Sequence, residues 1–253
     1  MVSRRFAIEA TQLRKTFGDE VAVDGVDLQV PSGHIYGFLG PNGAGKTTTM
    51  RMLVGLTTPT AGTASIAGAA IEDRDAVRAN VGYLPERPPL YDELTAVEQL
   101  TYYADLRGVP DAEVDDRVES WLDRFDLLED ADRRIQDYST GMRQKVGLVQ
   151  ALLHDPPVLF LDEPTSGLDP NAARTMREVL TELADGGTTI FLSTHILPVV
   201  EELADTVGVL DDGTLVSEAT PGELTSRAEA GTDWSLEDAF IDITTDREGE
   251  VTP

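Results

Sequence analysis

Hydrophobic and polar residues alternate in the first part of the chain and form unbroken apolar runs later. Short apolar bursts at 6–8, 21–23 and 26–30, separated by turn residues, predict an antiparallel β layer. Continuous apolar runs at 35–39 and 158–161 are typical of strands buried on both faces of a parallel sheet. The pattern therefore predicts two kinds of sheet in one chain.

Strands and helices alternate in the second half of the chain. Strands are predicted at 189–192 and 207–210, each preceded by a helical stretch, and two further strands at 62–68 and 80–84. This alternation indicates α/β winding around a buried sheet. No internal repeat is visible.

Helical patterning dominates the stretch between these regions. One helix is predicted to begin at Thr95, with Glu98 at the capping-box position, and to end at Gly108. A second is predicted over 111–127, where apolar residues recur on one face. We therefore expect a single domain over 1–246 with a mostly helical lobe at about 88–155, followed by a polar tail at 247–253.

The net charge changes this picture of an ordinary α/β protein. The 253 residues include 46 acidic and 20 basic side chains, a formal net charge of −26, and lysine occurs only at 15, 46 and 145. Molar salt shortens the Debye length to about 3 Å and would screen the resulting repulsion. Scarce lysine with abundant acid favours a host with a high-salt cytoplasm; an acidic mesophilic surface is the alternative. Duplex DNA is disfavoured as a direct ligand because it needs a basic face.

The composition also indicates where in the cell the protein is located. The chain has no cysteine, which excludes disulfides and thiolate metal sites. The N-terminus lacks the apolar stretch of a secretory signal, and the apolar runs are too short to span a bilayer. We expect a soluble cytoplasmic chain that reaches a membrane only through a partner.

The run GPNGAGKT at 40–47 is a phosphate-binding loop, G-x-x-x-x-G-K-[ST]. It follows the predicted strand at 35–39 and precedes a helix predicted over 48–56, which is the context that the motif needs. Glycines let successive backbone N–H groups face phosphate oxygens, and the helix adds its positive N-terminus. Lys46 can reach the β- and γ-phosphates, and the Thr47 hydroxyl can bind Mg²⁺. The expected nucleotide-binding residues here are Gly40, Pro41, Asn42, Gly43, Ala44, Gly45, Lys46, Thr47 and Thr48.

Two carboxylates end the apolar strand at 158–161. A buried strand delivers its last residues to a fixed point beside the phosphate loop, where Asp162 can bind magnesium and Glu163 can activate water. Without the loop, the same pair would more often form a helix-capping turn.

A further helix is predicted to begin within the lobe. Ser139 occupies the N-cap position of a helix that continues to Leu153. One interpretation is a plainly capped helix; the other is a second anion-binding helix N-terminus aimed at a γ-phosphate.

With these motifs in order, the chain resembles the nucleotide-binding subunit of an ABC transporter from about residue 6 to 245. The resemblance rests on the loop at 40–47, the run DEPTSGLDP at 162–170 and the triplet STH at 193–195. It implies an ABC-type P-loop NTPase with a mixed, largely parallel sheet core, an antiparallel β layer and a helical lobe. It also implies ATP and Mg²⁺, with ATP rather than GTP resting on the resemblance alone.

The resemblance assigns further roles. Ser139 and Gly141 belong to a signature that contacts ATP held by a second subunit, and Asp169 lies in the loop crossing that interface. His195 is a hydrogen-bond partner of the γ-phosphate, although a single histidine after a strand is usually a surface residue without a function. Phe17 matches an aromatic that stacks on adenine; the alternative is a core residue of the β layer.

Three positions depart from the family pattern. Glu86 stands where glutamine is usual, and its carboxylate keeps an oxygen for Mg²⁺ but adds charge. Thr140 replaces the first signature glycine and Met142 a glutamine, which puts a close backbone approach at Thr140 in doubt. Such substitutions resemble those found in the branch of exporters for drugs, antibiotics, lipids or sodium. The segment 233–240 also resembles the short C-terminal extension of that branch.

The function that the resemblance implies is ATP hydrolysis, with Glu163, Lys46 and His195 as catalytic groups and Thr47, Glu86 and Asp162 at the metal. The partners implied are a separate export-type permease, docked around 86–94 on the inner face of the cell membrane, and a second ATP-binding subunit, as a homodimer. A soluble ABC-type ATPase of nucleic-acid or ribosome-linked machinery is the alternative, and a nonhydrolytic regulatory module is a third class.

Overall fold

A computed structural model describes residues 6–226, 237, 240 and 241. The strands are β1 (Phe6–Phe17), β2 (Glu20–Pro31), β3 (Ile35–Leu39), β4 (Ala61–Ile66), β5 (Ala69–Ala70), β6 (Val81–Leu84), β7 (Val158–Asp162), β8 (Thr189–Thr194), β9 (Thr206–Asp211) and β10 (Thr214–Ala219). The helices are α1 (Lys46–Leu53), α2 (Arg74–Asn80), α3 (Ala96–Arg107), α4 (Asp111–Arg124), α5 (Thr140–Leu152), α6 (Pro170–Asp185), α7 (Leu197–Leu203) and α8 (Pro221–Ser226). The tail at 247–253 and, except for 237 and 240, the segment 233–240 lie outside the described residues.

The first sheet confirms the antiparallel layer. Its strand order is β2-β1-β4-β5, and Ile8 pairs with Val30 on one side and Ile66 on the other. Both long strands extend beyond the apolar bursts, because alternate polar residues face solvent while Leu13 and Val26 fill the core.

The second sheet is the mixed core that the sequence predicts. Its order is β10-β9-β3-β8-β7-β6; β6, β7, β8, β3 and β9 are parallel, and β10 pairs antiparallel with β9. Every residue of β7 is buried. Since β8 lies between β3 and β7, the carboxyl ends of these three strands meet at one edge of the sheet, where α/β proteins bind ligands.

The helical lobe contains α3, α4 and α5. The predicted capping box of α3 is confirmed: Thr95 Oγ1 accepts from the Glu98 N–H at 3.2 Å, and Glu98 Oε2 accepts from the Thr95 N–H at 2.9 Å. Helix α5 also lies close to the parallel sheet, since a Cβ on Gly147 would come within 2.8 Å of Leu84 Cδ1 in β6. In the described part of the chain, no helix is long and apolar enough to cross a membrane.

Several predicted boundaries are wrong by a few residues. Helix α1 begins at Lys46 rather than 48 and ends at Leu53 rather than 56, because its N-cap is Gly45 at φ 100. Helix α4 ends at Arg124 rather than 127, where Asp126 turns left-handed at φ 54. Strand β10 and helices α2 and α8 were not predicted.

Candidate functional site

A cavity of about 550 Å³ opens where the carboxyl ends of β3, β7 and β8 meet. This volume falls in the range of small-molecule sites. Its lining residues are Phe17, Glu20, Val21, Ala22, Asn42, Gly43, Gly45, Lys46, Thr47, Thr48, Glu86, Asp162, Glu163, Ser166, His195, Asp212 and Gly213. The structure thus brings most of the predicted site residues to one place.

Glycine is required in the loop at 40–47 by conformation and by space. Gly43 and Gly45 have φ of 88 and 100, a region that other residues rarely adopt. A Cβ at Gly45 would lie 2.4 Å from the Ala22 carbonyl oxygen, and one at Gly40 would lie 2.3 Å from that of Leu210. The loop is therefore packed on β2 and β9, and its open side faces the cavity.

Lys46 is buried at the start of α1 but keeps its ammonium group at the cavity. Its Nζ donates to the carbonyl oxygens of Gly40 at 2.6 Å and Pro41 at 3.1 Å. Burial lowers the pKa of Lys46, and the nearby carboxylates of Glu163 and Asp162 partly offset that effect. The cavity lining does not include Gly40, Pro41 and Ala44. The carbonyl groups of Gly40 and Pro41 instead hold the lysine over the loop.

Asp162 joins the phosphate loop to the central strands. Its carboxylate accepts hydrogen bonds from the hydroxyl groups of Thr47, at 2.9 Å, and of Ser193 on β8, at 2.5 Å. The alternative that this pair is only a helix-capping turn is wrong for Asp162, because the side chain bonds across the sheet and not to a following helix.

Glu163 is held by residues of the neighbouring strand end. Thr194 Oγ1 donates to Glu163 Oε2 at 3.0 Å, and His195 Nδ1 lies 2.8 Å from Glu163 Oε1. The Glu163 N–H donates to the Ser193 carbonyl at 2.9 Å, while its φ of 51 places the backbone in the left-handed region. Glu163 is buried, whereas the His195 side chain is 53% exposed at the cavity.

Phe17 ends β1 at the mouth of the cavity. It is 53% exposed, so the alternative of a core residue in the β layer is wrong. The Lys15 ammonium lies 4.9 Å from the centre of its ring. An exposed aromatic at the edge of a polar cavity can stack on a flat ring.

The remaining walls include residues that the sequence did not identify. Glu86 lines the cavity as predicted, but so do Glu20 and Asp212, which were missed. The Asp212-Gly213 pair, which lies between the predicted strand at 207–210 and the apolar residues at 215–216, is a hairpin signal that could have revealed β10. Nothing in the sequence gives the position of that hairpin beside the loop.

Besides Gly40, Pro41 and Ala44, three predicted residues do not line the cavity. Ser139 is the exposed N-cap of α5 and accepts from the Met142 N–H at 3.2 Å. Gly141, in the first turn of that helix, is near Leu168, and the exposed Asp169 caps α6. Backbone N–H groups of Ala172 and Asn171 donate to Asp169 and lower its pKa.

The fold and these motifs were compared with known proteins. The family model described as ABC transporter matches residues 23–166. The chain is 40% identical over 218 residues to the Nod factor export ATP-binding protein I of Cupriavidus metallidurans, covering 86% of this chain and 72% of that protein. It is 38% identical over 243 residues to the bacitracin transport ATP-binding protein BcrA of Enterococcus faecalis, covering 95% and 78%.

A solved structure described as an ATP-binding subunit of an ABC transporter superposes with a TM-score of 0.86 at 32% identity. The match covers 94% of this chain and 99% of that one. Sequence and structure thus agree over nearly the whole chain, and the chain belongs to the ABC transporter family, among its ATP-binding proteins.

Proposed function

We propose that this subunit binds ATP with Mg²⁺ in the cavity and hydrolyses it to drive an export-type membrane permease. The position of Glu163 supports the proposal that ATP is hydrolysed. Its buried carboxylate is fixed by Thr194 and His195 beside the phosphate loop. A general base needs both that proximity and a defined orientation.

The side chains around Thr47 fit a magnesium ion bound together with phosphates. Thr47, Asp162 and Glu86 offer only oxygen atoms, which this ion prefers. Among the described residues, no group of three or more His, Cys, Asp or Glu side chains could hold a metal alone. Magnesium is usually bound by one or two carboxylates plus substrate phosphates, and its charge would offset the acidic cavity wall.

The proposed hydrolysis uses groups already in place. Water attacks the γ-phosphorus, the bond to the ADP oxygen breaks, and Glu163 accepts the proton of the water. Lys46 exchanges its carbonyl partners for phosphate oxygens and, with His195, stabilises the charge that spreads over them. Phe17 stacks on the base; the preference for ATP follows from the relatives' names as ATP-binding proteins.

A second copy of the chain would complete the site. Ser139, Gly141 and Asp169 do not line the cavity, yet they cluster on one surface. A Cβ at Gly141 would meet no atom of the described fold closer than Leu168 Cδ2 at 3.5 Å, an ordinary contact. The fold itself therefore gives no reason for glycine there, which supports a group supplied from outside, ATP on a partner subunit.

Docking on a permease would use the region at 86–94 and would place the subunit on the inner membrane face. Six of the eight large apolar side chains that are exposed in the described chain lie at two places, and Leu128 and Ile241 are the other two. Phe17 and Val21 belong to the cavity, while Leu56, Tyr91, Tyr102 and Leu106 surround the second region. The relatives named for export and transport support this interpretation over nucleic-acid or ribosome-linked machinery.

Glu163→Gln tests the hydrolytic assignment. The amide keeps the shape of the side chain but cannot accept a proton, so ATP turnover should fall about 10²- to 10⁴-fold. ATP should stay bound and trap a dimer in gel filtration. Glu20→Gln is the matched control, because Glu20 lines the same cavity without contacting His195. Undiminished hydrolysis in Glu163→Gln would remove this residue from the mechanism.

A further inference from the structure

We propose that the groove beside 86–94 receives an amphipathic segment of the partner whose polar face carries carboxylates. The proposal rests on the docking role given above and specifies the chemistry of the partner. It follows from the lining of the groove, from the state of its arginines and from the apolar side chains around it.

The groove has a volume of about 630 Å³ and lies between the lobe and the two sheets. Its lining residues are Arg51, Val54, Gly55, Leu56, Arg74, Arg78, Val81, Tyr83, Pro85, Arg87, Pro89, Tyr103, Arg107 and Gln150. Five are arginines and none is acidic, although acidic residues outnumber basic ones by 46 to 20 in the chain. The groove is therefore a positive site on a strongly negative protein.

These arginines are also unusual in lacking acidic partners. Within residues 6–226, the arginines that make no ion pair with a described carboxylate are Arg51, Arg74, Arg87, Arg107 and Arg134. The first four line the groove. Arg78 reaches Asp75 at 3.4 Å, but both side chains are largely exposed, and such pairs contribute little. The groove thus holds positive charge that its own fold does not neutralise.

One of these guanidinium groups is already oriented. Arg107 donates to the Tyr103 hydroxyl at 3.0 and 2.6 Å and to the Arg78 carbonyl at 2.6 Å, and lies 5.1 Å from the centre of the Tyr103 ring. A held guanidinium loses less conformational entropy on binding a carboxylate, and its planar fork matches the two carboxylate oxygens.

Apolar side chains lie around the same groove. Leu56 and Pro89 line it, and Tyr91 and Tyr102 meet edge to face at 6.1 Å between ring centres. Leu106, one residue before Arg107, is 57% exposed. A phosphate group, from a lipid or a nucleic acid, would engage the arginines and leave this apolar surface in water. A segment with apolar residues on one face and carboxylates on the other satisfies both.

The test uses the full chain and two synthetic peptides of about 20 residues, long enough to form a helix. They share a leucine face; the other face is glutamate in one and lysine in the other. The glutamate peptide should bind in fluorescence anisotropy, and the lysine peptide should not. Arg74→Gln and Arg87→Gln should each weaken binding about tenfold, whereas Arg134→Gln should not, because it is unpaired but outside the groove.

The controls separate the alternatives. All variants should have the melting temperature of the parent and hydrolyse ATP at its rate. If the parent hydrolyses ATP but does not bind the glutamate peptide, this proposal is overturned and the proposed function stands. Equal binding of both peptides, or equal effects of Arg87→Gln and Arg134→Gln, would overturn it. So would binding of phosphatidylglycerol vesicles that the groove variants weaken while peptide affinity stays the same, since a lipid would then be the occupant.

Discussion

The nucleotide cavity and the arginine groove have similar volumes, about 550 and 630 Å³, but opposite linings. Five carboxylates line the cavity, those of Glu20, Glu86, Asp162, Glu163 and Asp212, with Lys46 as its lysine. Yet the cavity is the proposed site of a polyanion, and the groove that of a polypeptide.

With the two proposed ligands, the difference means that a site's ligand follows from local, directional groups and not from its summed charge. In the cavity, backbone N–H groups, a helix N-terminus and Lys46 face the phosphates, and the carboxylates favour a cation between them. In the groove, four of the five arginines make no ion pair with a described carboxylate, so their charge is available to a partner.

Salt concentration should change the stability of the protein and the affinity of the groove in opposite directions. Raising KCl from low to molar concentration should increase the melting temperature by on the order of 10 °C, because screening removes the repulsion of a −26 charge. The same salt should weaken glutamate-peptide binding at the groove, because it screens attraction there. Circular dichroism and anisotropy on one salt series would measure both. A flat melting temperature would count against a halophilic host.

Tyr91→Asp should release the subunit from membranes that contain its permease. The substitution removes a 55% exposed aromatic from the docking surface, and such residues commonly contribute 2 kcal/mol or more to binding, about thirtyfold in affinity. Sedimentation with membranes measures it. Leu128→Asp, on a 41% exposed leucine outside the groove, is the control and should stay bound. Equal retention of both variants would rule out this surface.

Acidification should lower the stability of the protein through His154, which lies behind the groove. Burial, with a smaller contribution from Arg107, lowers the pKa of His154 from 6.5 to about 4, and its Nε2 lies 3.1 Å from the Val81 carbonyl. Above pH 6.5 its contribution to stability is fully present. Between pH 6.5 and 4 the unfolded state binds a proton that the folded state does not, so stability falls as the pH falls.

His154→Gln should remove that part of the pH dependence. The free energy of unfolding should be measured in urea for parent and variant. The difference between the two values should change by about 2 kcal/mol between pH 7 and pH 4 and should be constant above pH 7. Parallel curves down to pH 4 would show that His154 is protonated equally in both states.

The smallest effect is expected at Glu86. If its carboxylate oxygen serves the metal, Glu86→Gln keeps an oxygen at the same reach and should change the ATPase rate less than about threefold, with Glu86→Ala losing more. ATPase rate against Mg²⁺ concentration for all three proteins is the measurement. Identical magnesium dependence in the three would remove Glu86 from the metal site.

The sequence predicts the cavity far better than the groove. The strand at 35–39, the loop at 40–47 and the strand ending in Asp162 and Glu163 are contiguous motifs, and their geometry is local. The capping box at Thr95 was predictable for the same reason. Phe17 needed the resemblance, because an aromatic at a strand end is as compatible with a core as with a cavity.

The docking region at 86–94 was predicted from the resemblance, but the arginine lining of the groove could not be predicted, because its arginines are far apart in sequence. Arg51 is in the last turn of α1, Arg74 and Arg78 are on α2, and Arg107 ends α3. Helix α2 itself was missed, since its seven residues are mostly polar and lack periodicity. Only the folded chain shows that these side chains converge and that four of the five arginines make no ion pair with a described carboxylate.

The left-handed backbone of Glu163 has a consequence for the transporter as a whole. For a residue other than glycine, φ of 51 costs about 1 kcal/mol, and Glu163→Gly would relieve that strain and the burial of a carboxylate. Loss of catalysis at this position is therefore compatible with a gain in stability. A more durable, inactive subunit would still occupy the permease, so one defective copy would interfere with its functional counterpart and act as a dominant inhibitor.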